Sequence, residues 1–363
     1  MSLQDSDVSI ASFMEKFFAE TCPQEVVGWA ESHGLDIGLW SQVDELGLTL
    51  ISIDEADRGS GGSLTHLVTM LQAAGRNAAP LPLADTHLAA WLLVQSGQNV
   101  PAGPATVVPG TPRDTLEYVD GRLRGAAYAV PWARDADTVV FVVPAESGRL
   151  RIARAKRTSL QIVPGTDLAG MSCDTVSADD LEVDASWWPG DPDAPAARGA
   201  LLRAALMAGA LSAIFEMTTK YCRVRVQFGR TIGSNQSVQQ HLVNLAQAAA
   251  TSAAAVDQAA MAAGTQGEIF ASFAAKVVAG REASLGARAA HQAHGAIGLT
   301  KEYRLQQLTR RLHTWRMEYG TEEALAQRIG ASVVQHRSLM TFVGRRQGTT
   351  EFSTPTSGMR GRV

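Results

Sequence analysis

The chain lacks several things, and each absence excludes a class of protein. Its 363 residues hold three cysteines, Cys22, Cys173 and Cys222, widely spaced and without a CxxC pair. That count is neither a disulfide framework nor a structural zinc site, and it fits buried thiols in a reducing, cytoplasmic setting. Neither charge dominates: 32 Lys and Arg against 36 Asp and Glu leave a formal net charge of −4. No broad basic surface therefore points to nucleic acid. No run is expected to reach the roughly 20 apolar residues of a membrane helix. The first residues lack the basic-then-apolar order of a signal peptide, so no membrane or secretory role is expected. No GxGxxG follows a strand and no GxxxxGK[ST] occurs, which removes the Rossmann and P-loop nucleotide sites.

What is present is apolar material and alanine. Hydrophobic residues make up 45% and charged residues 19%, enough to build sizeable cores. Residues 5–100 read as helical: Phe13, Phe17 and Phe18 share a face, Val26, Val27 and Trp29 continue that helix, and Gly34 caps it. Residues 40–50 carry Trp40, Val43, Leu46 and Leu50 at helical spacing, and 64–75 form an amphipathic helix that Pro80 and Pro82 end. Short β-prone runs at 105–108, 115–119 and 138–143 lie between Pro and Gly turns, which predicts a small barrel or sandwich. Beyond Pro195, Leu202, Leu206, Gly209, Ala213 and Met217 form a helical seam. Further helices are expected over 239–263, 268–294 and 321–340. The expected class is α+β multidomain, mainly α. It comprises a helical domain (1–104), a middle β-barrel domain (105–192), a four-helix bundle (193–343) and a disordered tail (344–363) holding Arg345, Arg346, Arg360 and Arg362.

Two segments carry chemistry. In the first, Arg225 stands three residues before Phe228 and Gly229, and a turn leads to Asn235 and Gln236 at a helix start. A guanidinium beside a helix N-terminus suits a phosphate-bearing ligand. A plain helix connection with Arg225 in a surface ion pair is the competing reading. In the second, Gln292, His294, Gly295, Ala296 and Gly298 combine an amide with small residues that let a backbone approach a ligand. His291 and His294 are three apart, but no third metal ligand stands at suitable spacing.

With these motifs in this order, the chain resembles the acyl-CoA dehydrogenase family over its whole length. Glu45 to Leu48, the pair Gly61 and Gly62, Gly75 with Arg76, and the stretch ending at Ala136 and Asp137 also match its usual wording. The resemblance implies FAD held at a dimer interface, an acyl-CoA substrate, and a carboxylate that removes the α-proton while hydride passes to flavin. It assigns cofactor contacts to Arg225, Gln227, Phe228, Asn235, Gln236, Gln292, His294, Gly295, Ala296, Thr321 and Glu323. Most of these would reach the ADP end of a neighbour's FAD.

The chain departs from the family on one side of that site. Tyr319 stands where the catalytic glutamate is expected, and a phenol is a poor base at neutral pH. Glu318, one residue earlier, is the weak alternative. The other family position for a base, 29 residues ahead of Phe228, holds Gly199. Residues 108–114 lack the loop that lies on flavin and substrate, Ala129 to Pro131 replace the segment that touches the flavin ring, and Ala197 and Ala200 replace substrate-side positions. Arg203 lies off register. The resemblance thus implies a degenerate subunit completing a homologous partner's FAD site, as in paired subunits of bacterial steroid side-chain degradation. A catalytic homo-oligomer, a flavin monooxygenase or nitroalkane-oxidase-like enzyme, and a non-catalytic scaffold are the alternatives.

Overall fold

A computed structural model describes residues 3–227 and 229–334. Five helices come first: α1 (Leu3–Thr21), α2 (Gln24–His33), α3 (Ile37–Glu45), α4 (Leu64–Arg76) and α5 (Leu83–Gln95). Pro23 separates α1 from α2 as the extended residue ahead of the second helix, so the single helix expected up to Gly34 is two. Gly34 does end it, at φ 88°. The three phenylalanines do not share one face. Met14, Phe18 and Cys22 form the buried stripe, whereas Phe13 is 47% exposed and stacks on Phe17. Asp36 caps α3 by accepting from the Gly38 and Leu39 amides. That helix stops at Glu45, short of the expected residue 50, because Gly47 turns the chain at φ 69°.

The middle region holds β1 (Ala105–Val108), β2 (Glu117–Val119), β3 (Arg122–Pro131), β4 (Thr138–Pro144), β5 (Leu150–Lys156), β6 (Gln161–Val163), β7 (Cys173–Glu182) and β8 (Ala185–Trp187). They form two four-stranded sheets, in the orders β1-β4-β5-β8 and β2-β3-β7-β6. The sheets enclose a separate core that includes Val139, Phe141, Leu123 and Val176. They wall it like a flattened barrel, and among the described residues no strand pairing joins one sheet to the other.

The last region begins with α6 (Ala194–Val224). A two-residue hairpin, β9 (Val226–Gln227) and β10 (Arg230–Thr231), leads to α7 (Gln236–Met261) and α8 (Glu268–His294). Helix α9 (Leu305–Met317), unforeseen from the sequence, packs on α6 and α8 ahead of α10 (Glu322–Val334). Its buried side carries Leu305, Leu308 and Leu312 at helical spacing, interleaved with the polar Gln307, Thr309 and Arg311. The expected continuation of the last helix to residue 340, and the tail 344–363 with its arginines, lie outside the described residues. Contrary to expectation, α6 is long and apolar enough to cross a membrane by length and composition, but 72% of its apolar window is buried inside the protein.

The small-residue seam on α6 has a direct physical cause. A Cβ on Gly209 would stand 1.9 Å from the Gln72 carbonyl oxygen, and one on Gly75 2.1 Å from that of Leu206. Helices α4 and α6 thus cross backbone to backbone, and this contact fixes the N-terminal helices on the bundle.

Candidate functional site: an open groove and a closed pocket

The residues singled out in the sequence divide between two places. The first is a groove where α6 ends. The Arg225 amide donates to the Tyr221 carbonyl at 2.9 Å, and the Ile232 amide donates to the Arg225 carbonyl at 2.9 Å. Gly229, at φ 78°, turns the β9–β10 hairpin between them. This brings Arg225, Gln227, Asn235, Gln292, His294, Gly295 and Ala296 around one cavity of about 580 Å³. Arg225 is exposed and pairs with no carboxylate among the described residues, so the surface ion pair of the competing reading is not formed. Arg230 lines the same cavity. Asn235 caps α7, its Oδ1 accepting from the Ser237 amide at 3.1 Å. Gln236 is the first residue of α7, exposed beside this cap and off the cavity wall. Phe228 lies outside the described residues.

His294 is a wall rather than a free ligand. It is 4% exposed, its Nδ1 lies 2.9 Å from the Ala290 carbonyl and its Nε2 3.1 Å from the Tyr303 hydroxyl. Burial lowers its pKa below the ordinary value. His291 turns instead to Thr309 Oγ1 at 3.1 Å. Among the described residues no group of three His, Cys, Asp or Glu is placed to hold a metal.

Thr321 and Glu323 do not reach the groove. Thr321 Oγ1 accepts from the Ala324 amide at the start of α10, and Glu323 is exposed there.

The second place is the turn between α9 and α10, where the family's glutamate is expected. Tyr319 and Gly320 adopt φ values of 53° and 99°. The Tyr319 ring lies on Gly199, so close that a Cβ there would stand 2.2 Å from Tyr319 Cδ1. The two positions where a base could stand are therefore in contact, one filling the space the other leaves. Tyr319 is half-buried, its hydroxyl is enclosed without a partner among the described residues, and burial pushes the phenol pKa well up. It gives up its proton less readily than a free tyrosine and so offers even less phenolate at neutral pH.

Glu318 pairs with Arg203, and Arg203 Nη2 donates to Asp85 Oδ1 at 2.6 Å. Burial raises the Glu318 carboxyl above its ordinary pKa, and Arg203 only partly offsets this. Burial also opposes the charge on Arg203, but Asp85 and Glu318 outweigh it and keep the guanidinium ionised. Lys276 on α8, 1% exposed, donates from Nζ to the Arg316 carbonyl at 2.9 Å and the Gly320 carbonyl at 3.0 Å. The remaining cavity is about 30 Å³, walled by Asp85, Trp132, Arg203, Trp315 and Glu318 among others. That is room for about one water molecule. Beside it, the strand at Ala129 to Pro131 bulges, with φ 55° at Ala129 and 59° at Trp132. Asp85 and Lys276 escape a motif search. The available signal is a single charge inside an otherwise apolar helical stretch, which must be paired or hydrogen-bonded once buried.

An open groove lined by two arginines and a nearly filled interior cavity thus sit on one helical–β–helical scaffold. Residues 5–100 match the model described as acyl-CoA dehydrogenase, N-terminal domain, and residues 196–334 that of the C-terminal domain. The chain belongs to the acyl-CoA dehydrogenase family of oxidoreductases. It is 26% identical over 329 residues to acyl-CoA dehydrogenase IpdE2 of Mycolicibacterium smegmatis, covering 90% of this chain and 96% of that relative. It is 29% identical over 287 residues to IpdE2 of Mycobacterium tuberculosis, covering 78% and 83%. Its fold is similar to a variant of the Tcur3481–Tcur3483 steroid ACAD, with a TM-score of 0.85 at 21% identity, covering 92% and 99%. It is also similar to the ChsE4–ChsE5 complex from Mycobacterium tuberculosis, with a TM-score of 0.84 at 19% identity, covering 93% and 99%.

Proposed function

We propose that this chain is the non-catalytic half of a heteromeric acyl-CoA dehydrogenase, and that its groove holds the ADP end of an FAD shared with a homologous, catalytic subunit. The observation that carries this reading is the contrast between the two sites. Among the described residues Arg225 meets no carboxylate and lines an open cavity of about 580 Å³, while Arg203 and Glu318 wall a cavity of only about 30 Å³ and the Tyr319 ring fills the space beside Gly199. Two structural neighbours are themselves named as two-component assemblies.

The residues fit one end of the cofactor and not the other. Arg225 and Arg230 offer charge-assisted hydrogen bonds to a diphosphate, and the α7 N-terminus adds an electropositive end. Gln292, exposed on the opposite wall, offers both a donor and an acceptor, and Gly295 leaves its backbone open to a ligand. A pocket with room for one water does not admit a flavin ring together with a thioester. FAD in such an enzyme supplies the two-electron acceptor for the acyl group. This chain's own residues bind and orient its ADP end. The α-proton would be taken by the partner, because Tyr319 is a poor base here and Glu318 is the counter-ion of Arg203.

The test is expression of the chain alone and together with a homologous subunit. Flavin absorbance and acyl-CoA-dependent dye reduction would be read in both. We expect flavin retention and turnover only in the pair, at least tenfold weaker flavin retention with Arg225→Ala, and near-unchanged turnover with Tyr319→Phe. Full flavin loading and turnover by the lone chain, or loss of turnover with Tyr319→Phe, would sink the reading. Flavin that reacts rapidly with oxygen and needs no CoA ester would select an oxygenase instead.

A further inference from the structure

Beneath the groove lies an aromatic cluster. The Tyr221 ring stacks on His294, with centroids 4.6 Å apart and planes 20° from parallel. Tyr303, in the loop before α9, meets Tyr221 edge-on at 6.1 Å and His294 at 5.0 Å. The two hydrogen bonds of His294 settle its tautomer. A carbonyl only accepts, so Nδ1 carries the proton and donates to Ala290. Nε2 is then an acceptor, and the Tyr303 hydroxyl donates to it.

His294 joins both walls of the groove. On one side its ring stacks on Tyr221, whose carbonyl receives the Arg225 amide. On the other, its main chain leads into the turn Gly295–Leu299, which packs on the base of its side chain: a Cβ on Gly298 would stand 3.0 Å from His294 Cβ. The seating of His294 thus links the point where Arg225 leaves α6 to the point where Gly295 to Ile297 enter the cavity.

We propose that Tyr303, which does not line the groove, is a positioning residue for it: its hydroxyl locks the His294 ring that joins the Arg225 wall to the Gly295 wall. The proposal rests on the reading of the groove as an ADP-end site, and its test has arms that do not.

The experiment compares the full chain with its Tyr303→Phe and His294→Phe variants and the double variant. Nitrogen-15 NMR reads the His294 tautomer, hydrogen exchange reads the 295–299 amides, and calorimetry reads affinity for ADP. With Tyr303→Phe we expect the locked Nδ1–H tautomer to give way to a mixture and the 295–299 amides to exchange at least tenfold faster, with the α7 amides unchanged. ADP affinity should fall about fivefold, the worth of one ordinary hydrogen bond. The double variant should lose no more affinity than His294→Phe alone, because both act through one ring. An unchanged tautomer, unchanged exchange at 295–299, or additive losses would overturn the proposal. If the unaltered chain binds no ADP, the groove reading fails, and the tautomer and exchange arms still decide the role of Tyr303. Should His294→Phe not fold, His294→Gln takes its place with the same expectation.

Discussion

At the residue scale, the packing of the α9–α10 turn rests on three residues whose sequence context says little: Gly199, Tyr319 and Lys276. Gly199 is the plainest. Its missing Cβ is what admits the Tyr319 ring, so Gly199→Ala forces an aromatic ring to move in a packed interior. We expect a loss on the order of 1–3 kcal/mol, as for overpacked cores, measured by urea unfolding. Tyr319→Ala in the same background should relieve most of that overpacking. Lys276 yields a prediction in pH. Burial lowers its amine to about 7. Glu318 and Glu322 oppose that shift and Arg203 and Arg316 reinforce it. A neutral amine has two N–H groups, matching its two carbonyl acceptors. The unfolded chain keeps the lysine proton up to its ordinary pKa of about 10.4, so between about pH 7 and that value the unfolded state binds more protons. Folding stability should therefore rise with pH across that window, by roughly 1.4 kcal/mol per unit from this group. Lys276→Met should flatten that rise, and a slope identical to that of the parent would contradict the assignment.

At the element scale, helices assemble where small residues allow close approach. The seam Leu202, Leu206, Gly209, Ala213 and Met217 was legible because its spacing is helical, but its purpose was not. Only the crossing with α4 shows why position 209 takes no side chain. Gly209→Ala would press a methyl into the Gln72 carbonyl. We expect at least about 2 kcal/mol of destabilisation by thermal unfolding, despite the better helix propensity of alanine. Helix α9 shows a related case. Its buried positions include Arg311, 2% exposed, donating to Glu31 Oε1 at 2.8 Å. Leu305, Leu308 and Leu312 stand on the same buried side at helical spacing, so the apolar periodicity was present in the sequence, and only the paired charge beside it needed the tertiary structure. Helix α3 ended early for a local reason, the left-handed Gly47, which spacing of Val43, Leu46 and Leu50 could not reveal.

At the scale of the whole molecule, the network Asp85–Arg203–Glu318 ties α5, α6 and the α9–α10 turn together inside the protein. Its members lie more than a hundred residues apart in sequence. Asp85→Asn removes one of two carboxylates from a 3%-exposed guanidinium. We expect a loss of about 1.5–3 kcal/mol, since a buried charge-assisted hydrogen bond becomes a neutral one while Glu318 still balances the guanidinium. If the groove holds the cofactor as proposed, flavin binding there should change little at temperatures where the variant stays folded, and a matched collapse of both would show the two sites to be one unit.

Much of this protein follows from its sequence alone. Motif order placed it in its family, because Arg225, Gln292 and their glycines serve short, local backbone geometry that sequence spacing preserves. Composition and periodicity located the helical, β and helical regions, because amphipathic helices and turn-bounded strands are local too. The rest was decided only in three dimensions. That Tyr319 seats on Gly199, that Arg203 draws Glu318 and Asp85 together, and that Arg225 meets no carboxylate among the described residues all depend on which distant segments meet. Burial and charge pairing depend on what stands opposite, and no window of sequence contains both partners.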